Sequence, residues 1–84
     1  MDTATITKQV KQIIGSITGI QVETIADSAT YVGDLGLDSL AILEIAVDVE
    51  KAFGFRAQDE ELQKIRSVQD SVNLILQHSC QQVA

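Results

Sequence analysis

From Ile6 to Ile17 the apolar side chains fall at Ile6, Val10, Ile13, Ile14 and Ile17. Steps of 4, 3, 1 and 3 trace one helical stripe, with Lys8, Gln9, Lys11 and Gln12 on the opposite face. Gly19 supplies a stop, so the pattern predicts a first helix over about 4–18. Residues 19–37 mix Gly, Asp, Ser and Thr without a period. This is a long loop for a small domain, and loops of this length often carry function. Ile20, Val22, Ile25, Tyr31, Val32, Leu35 and Leu37 are scattered through it, which predicts that it packs on the core.

A second helix is predicted from about Ser39 to Phe53, with Asp38 as its N-cap and Gly54 as its end. Its sequence, SLAILEIAVDVEKAF, is apolar almost all round, with acids only at Glu44, Asp48 and Glu50. A surface helix in a small domain should show a wider polar face, so part of this one is expected to meet a partner. Helical spacing puts Val47 with Leu40 and Glu44 on the serine side, as a contact surface. Leu43 lies towards Ala46 and the apolar side, and is assigned to the core. A short helix is predicted over about 59–65, DEELQKI, with acids in its first turn. Ser67 opens S-V-Q-D, a capping-box-like start for a last helix running to about Gln77 on Val68, Val72, Ile75 and Leu76. GFRA at 54–57 is too short to assign to strand or loop. The sum is an all-α fold: a small antiparallel four-helix bundle of three main helices and one short, with a long first connection.

At 84 residues the chain fits one domain, 1–84, with 80–84 expected to be a frayed tail. Hydrophobic residues make up 45% and the only aromatics are Tyr31, Phe53 and Phe55, which predicts an aliphatic core. A net charge of −6 repels phosphate backbones, so nucleic acid is not expected as a partner, while surfaces rich in Lys and Arg are. The single cysteine, Cys80, allows no internal disulfide and suits a reducing, cytoplasmic location. No apolar run reaches the roughly 18 residues of a membrane span, and MDTATITKQVKQ lacks the marks of a signal peptide.

The candidate chemistry lies at 33–44, GDLGLDSLAILE, where a glycine-spaced loop enters the second helix through Asp38-Ser39. A nucleophilic serine needs a base and an oxyanion hole, yet the only histidine is His78, near the chain end. The Gly-x-Ser-x-Gly elbow is absent, since Leu37 and Ala41 stand where its glycines would be. No catalytic residue is assigned. A helix cap is the simplest use of the Asp-Ser pair. The other use leaves capping to Asp38 and puts Ser39 at the first helical position. There a phosphate on its hydroxyl would lie at the positive end of the helix dipole, near unpaired amides.

DLGLDSLAILE resembles the prosthetic-group attachment motif of acyl carrier proteins, whose core is Asp-Ser-Leu after Leu-Gly-x. The likeness extends downstream through Glu44, EKAFGFR and DEELQKIRSVQDSVNLI, and covers about residues 20–77. The resemblance implies that Ser39, within the motif residues Asp38 and Leu40, is esterified with 4′-phosphopantetheine by a phosphopantetheinyl transferase using coenzyme A. The arm's thiol would carry acyl groups as thioesters. The chain would then be no enzyme but a monomeric carrier in polyketide or fatty acid biosynthesis. It would serve acyl-loading, condensing and modifying enzymes that dock through basic patches. Leu40, Glu44, Val47, Asp48 and Glu50 are the expected partner-binding residues.

Some positions depart from the pattern. Ala41 stands where many fatty-acid-synthesis carriers have Asp, Glu50-Lys51-Ala52-Phe53 is less acidic than the usual helix end, and Ala57-Gln58 replaces the usual Ile-Pro. These departures lean towards a specialised pathway such as polyketide synthesis, with a peptidyl carrier as an alternative. A helical interaction module with no prosthetic group would also explain the apolar second helix and the acidity, but not the motif spacing. His78 with Cys80, and Asp34, Asp38 and Asp48, are too few or too far from a ligand pattern to predict a metal site.

Overall fold

The computed structural model describes residues 2–83, with side chains described over 2–78. It contains four helices, α1 (Thr3–Thr18), α2 (Ser39–Phe53), α3 (Asp59–Gln63) and α4 (Val68–Val83), with one 3₁₀ turn at Val22–Thr24. The all-α bundle predicted from the hydrophobic pattern is the fold observed. GFRA at 54–57 forms no strand; it leads from α2 to α3, with Ala57 buried.

Asp2 caps α1 by accepting the Thr5 N–H at 2.8 Å, and Gly19 ends it in the left-handed conformation, φ 78°. Gly15 sits inside α1, where it lets the loop fold back tightly over the last turn. A Cβ there would lie 2.9 Å from the Ile20 carbonyl oxygen and 3.2 Å from Val22 Cγ2. Ile6, Val10 and Ile14 of α1 meet Ile45, Ala46 and Val49 of α2 and Val68, Val72 and Ile75 of α4 in one core.

The long loop packs on this core through Ile25, Ala29 and Tyr31, as its scattered apolar residues predict. It is also stitched to the segment before α4: the Tyr31 N–H donates to the Arg66 carbonyl at 2.9 Å and the Val68 N–H to the Ala29 carbonyl at 3.0 Å. Val32 is the exception, 67% exposed. The core is not purely aliphatic, contrary to the expectation from composition. Tyr31 is fully buried, and its hydroxyl meets the buried Ser71 Oγ at 2.5 Å. Each hydroxyl thereby satisfies the other, which removes the cost of burying two unpaired polar groups. Burial pushes the Tyr31 phenol up to about 12, more than the Ser71 bond pulls it down.

Three local expectations are corrected. Leu43 is not a core residue: it is 50% exposed, because Ile42, Ile45, Ala46 and Val49 fill the inward stripe of α2 and leave Leu43 turned outwards. The last helix does not stop near Gln77 but runs to Val83, since no glycine or proline follows to break it. The proposed frayed tail falls where side chains lie outside the described residues, as does the side chain of Cys80. His78, by contrast, is well anchored: its Nε2 meets Glu61 Oε2 at 2.9 Å and its ring stacks on Phe55 at 4.6 Å between centroids. At the start of α4 the capping box is shifted by one residue. Ser67 Oγ accepts the Asp70 N–H at 3.2 Å, while Asp70 Oδ2 accepts from Arg66 N at 3.0 Å.

Candidate functional site

The approach to α2 is a compact turn built by side-chain capping. Asp34 Oδ2 accepts the Thr30 N–H at 2.8 Å and the Asp34 N–H returns to Thr30 Oγ1 at 3.0 Å. The Leu37 N–H reaches back to the Tyr31 carbonyl at 2.8 Å, closing the turn on the buried tyrosine. Gly36 takes φ 66°, which a side chain would strain. Asp34 and Asp38, considered above as ion ligands, are therefore both occupied as local caps.

Asp38 is extended (φ −92°, ψ 177°) and its Oδ1 accepts the Ala41 N–H at 2.9 Å, so the cap belongs to Asp38. This leaves Ser39 as the first residue of α2, exposed, with its hydroxyl in no hydrogen bond among the described residues. No base is bonded to it; His78 is held by Glu61. The first amides of α2 have no intrahelical partner, so the helix presents partial positive charge beside this hydroxyl. A hydroxyl that is free, exposed and backed by amides suits a covalently attached phosphodiester. The residues present fit a phosphate-linked prosthetic group.

Beside Ser39 a groove of about 480 Å³ opens between α2 and α3. Ile42, Leu43 and Ala46 form one wall, and Leu62 and Ile65 the other. The helix α3 itself buries no residue, while Ile65, just beyond its end, belongs to the core. The helix is fastened at Glu61, whose Oε1 accepts the Gln58 N–H at 3.2 Å and whose Oε2 takes His78. Those bonds, the Gln58 one first, hold the Glu61 carboxyl below its ordinary range. Neither Leu62 nor Ile65 was singled out from the sequence, because only the tertiary fold sets α3 across from Ser39.

The outer face of α2 carries the remaining expected residues. Leu40 is 65% and Val47 36% exposed, with Leu43 between them as an apolar ridge. Glu44 and Asp48 are exposed along one side, and neither forms an ion pair among the described residues. Glu50 is set apart from this group. It is half-buried, and its Oε2 accepts the Ala57 N–H at 2.6 Å, holding the connection to α3.

Residues 8–75 match the family described as "Phosphopantetheine attachment site". That span is most of the chain, which therefore belongs to this family of carrier domains, the ones that hold 4′-phosphopantetheine covalently. Among solved structures, the likeness is to an acyl carrier protein. The chain is similar, at 29% identity and a TM-score of 0.78, to the solution structure of the apo doublet acyl carrier protein from prodigiosin biosynthesis. The match covers 88% of this chain and 36% of that one, so the chain spans about a third of the doublet's length.

Proposed function

We propose that Ser39 is the residue that carries 4′-phosphopantetheine, and that the chain delivers acyl groups on this arm to enzymes of polyketide or fatty acid biosynthesis. The observation that carries the reading is the division of labour at the start of α2. Asp38 takes the cap, and Ser39 is left exposed with a free hydroxyl beside an apolar groove.

In the transfer, Ser39 Oγ loses its proton and bonds to the phosphorus of coenzyme A that bears the pantetheine. The pyrophosphate link breaks, and adenosine 3′,5′-bisphosphate leaves. No side chain among the described residues is placed to take that proton, so the transferase supplies the base. Once attached, the arm supplies a thiol that holds an acyl group as a thioester. The chain's own part is to position: the rigid first turn of α2 fixes the attachment oxygen, and the apolar groove lies next to it for the cargo. The likeness to an acyl carrier protein of prodigiosin biosynthesis supports acyl cargo. The chain itself has no catalytic role in this scheme.

Partner enzymes must bring their active sites to Ser39, so the surrounding face of α2 is the natural docking surface. Leu40, Val47, Glu44 and Asp48 make it up, with Glu50 in a supporting place behind it. A carrier has to release its partners quickly, which favours a small interface steered by charge. The test is intact mass after incubation with coenzyme A and a promiscuous phosphopantetheinyl transferase. The native chain should gain one phosphopantetheine and Ser39→Ala none, with circular dichroism unchanged because Asp38 keeps the cap. Modification that persists in Ser39→Ala would remove the assignment.

A further inference from the structure

The groove beside Ser39 is not wholly apolar. Apart from Ser39 itself, its polar lining consists of Asp59 and Gln63, both on α3. They stand four residues apart, so they share one face of that short helix, on the wall across from Ser39. Both are exposed, and neither side chain has a hydrogen bond or ion pair among the described residues. Glu61 of the same helix is engaged elsewhere, with the Gln58 N–H and His78. A groove shaped for acyl chains alone has no use for hydrogen-bonding groups along its rim. The pantetheine arm does, since it carries two secondary amides, each a donor and an acceptor. One β-alanine unit separates them, one bond longer than the roughly 3.3–3.6 Å of an extended residue, which puts them about 5 Å apart. Four residues of helix rise about 6 Å, so Asp59 and Gln63 are spaced to meet one amide each. An ionised aspartate only accepts, which suits an amide N–H, while a glutamine both donates and accepts and suits N–H and C=O alike.

We propose that the rim formed by Asp59 and Gln63 is a berth for the pantetheine arm, which lies along α3 with its amides on these two side chains while its acyl cargo enters the aliphatic floor. The berth rests on Ser39 being the attachment residue, and it names the residues that hold the arm, which attachment alone leaves free in solvent. Because Ser39 lines the same groove, docking of the arm is intramolecular. A short tether gives an effective concentration in the millimolar range, so a contact of millimolar affinity is enough to hold the arm there about half of the time. Such a hold is weak enough for a partner enzyme to draw the arm out.

The experiment reads the arm itself and not the activity of a partner. Pantetheine labelled with a heavy nitrogen isotope is transferred from coenzyme A to the unlabelled chain, and intact mass with the Ser39→Ala control verifies a single arm at Ser39. Hydrogen exchange of the two arm amides is then measured by NMR against free pantetheine. In the native holo protein exchange should be at least about twofold slower. The double variant Asp59→Ala, Gln63→Ala should restore the free rate, with circular dichroism unchanged because both side chains are exposed. Glu60→Ala removes the same charge at the next position, outside the groove lining, and should leave the arm protected. Exchange at the free rate in the native holo protein, with the arm shown to be on Ser39, would overturn the berth and leave the attachment intact. Protection that persists in the double variant would do the same. Equal loss of protection in Glu60→Ala and the double variant would also overturn it, since α3 as a whole and not its rim would then be responsible. If no arm is found at Ser39, the attachment reading fails and the berth with it.

Discussion

At the scale of single residues, the two hydroxyls that matter most have opposite fates. Ser39 is kept free by the cap at Asp38, while Tyr31 is locked to Ser71 inside the core. Tyr31→Phe strips a partner from a buried serine and should cost about 1–3 kcal/mol in denaturant unfolding. Adding Ser71→Ala should recover part of that loss, because no unsatisfied hydroxyl then remains. The phenol also sets a pH dependence. In the unfolded chain it ionises from its ordinary value of 10.0, in the folded chain only near about 12. Below pH 10 both states hold the proton and the contribution is intact. Between these values the unfolded state alone loses it, so stability falls as pH rises. The native chain should therefore lose more stability than Tyr31→Phe between about pH 9 and pH 11, by about 1–1.5 kcal/mol. Equal losses would show that Tyr31 does not carry the effect. Leu43 was misread from the sequence for a reason visible at this scale. α2 is apolar on nearly every side, so its pattern does not say which of Ile42 and Leu43 faces in; only the packing of α1 and α4 decides it. On the structure, Leu43→Ala should shift the unfolding midpoint little, well short of the roughly 2–5 kcal/mol of a buried leucine.

At the scale of elements, helix positions were legible wherever a clean stripe met a stop. α1 and α2 begin and end within a residue of expectation because Gly19 and Gly54 terminate them. The end of α4 was not legible, since HSCQQ has neither a breaker nor an apolar period. The roles of Glu50 and His78 were hidden as well. Each acts on a partner outside its own helix, and spacing within one element cannot reveal that. Gly15 reads as punctuation in sequence but serves as a contact point for the returning loop. Gly15→Ala gains up to about 1 kcal/mol of helix propensity, yet drives a Cβ against a backbone oxygen that cannot swing away. The variant should be less stable than the native chain, and a raised unfolding midpoint would contradict this close approach. α3 is the weakest element by the same reasoning, held by the Glu61–His78 contact more than by burial. His78→Ala should speed amide hydrogen exchange across 59–65 while leaving α1 unaffected. Acid should act similarly: the lowered Glu61 carboxyl contributes stability above its unfolded value near 4.5, and that contribution is lost as pH falls through the lower folded value.

At the scale of the whole molecule, the bundle works as a rigid handle. One core ties α1, α2, α4 and the long loop together, and Ser39 Oγ, the proposed attachment oxygen, stands at a helix start that the core fixes in place. The loop that looked functional from its length turns out to be the brace of that helix start, through Leu37 on Tyr31 and Asp34 on Thr30. A net charge of −6 adds long-range attraction to basic partners, screened over about 8–10 Å at ordinary salt. Association with the transferase should therefore slow as salt rises, and Glu44→Lys or Asp48→Lys should flatten that dependence in stopped-flow rates. A salt dependence unchanged by either reversal would move the docking surface away from α2. The central claim, that one serine among Ser16, Ser28, Ser39, Ser67, Ser71 and Ser79 is the anchor, is tested most directly by localising the added group. The transferase-treated protein is digested and its peptides sequenced by tandem mass spectrometry. Phosphopantetheine confined to Ser39 is the predicted result; the group on any other serine, with Ser39 unmodified, would contradict the account.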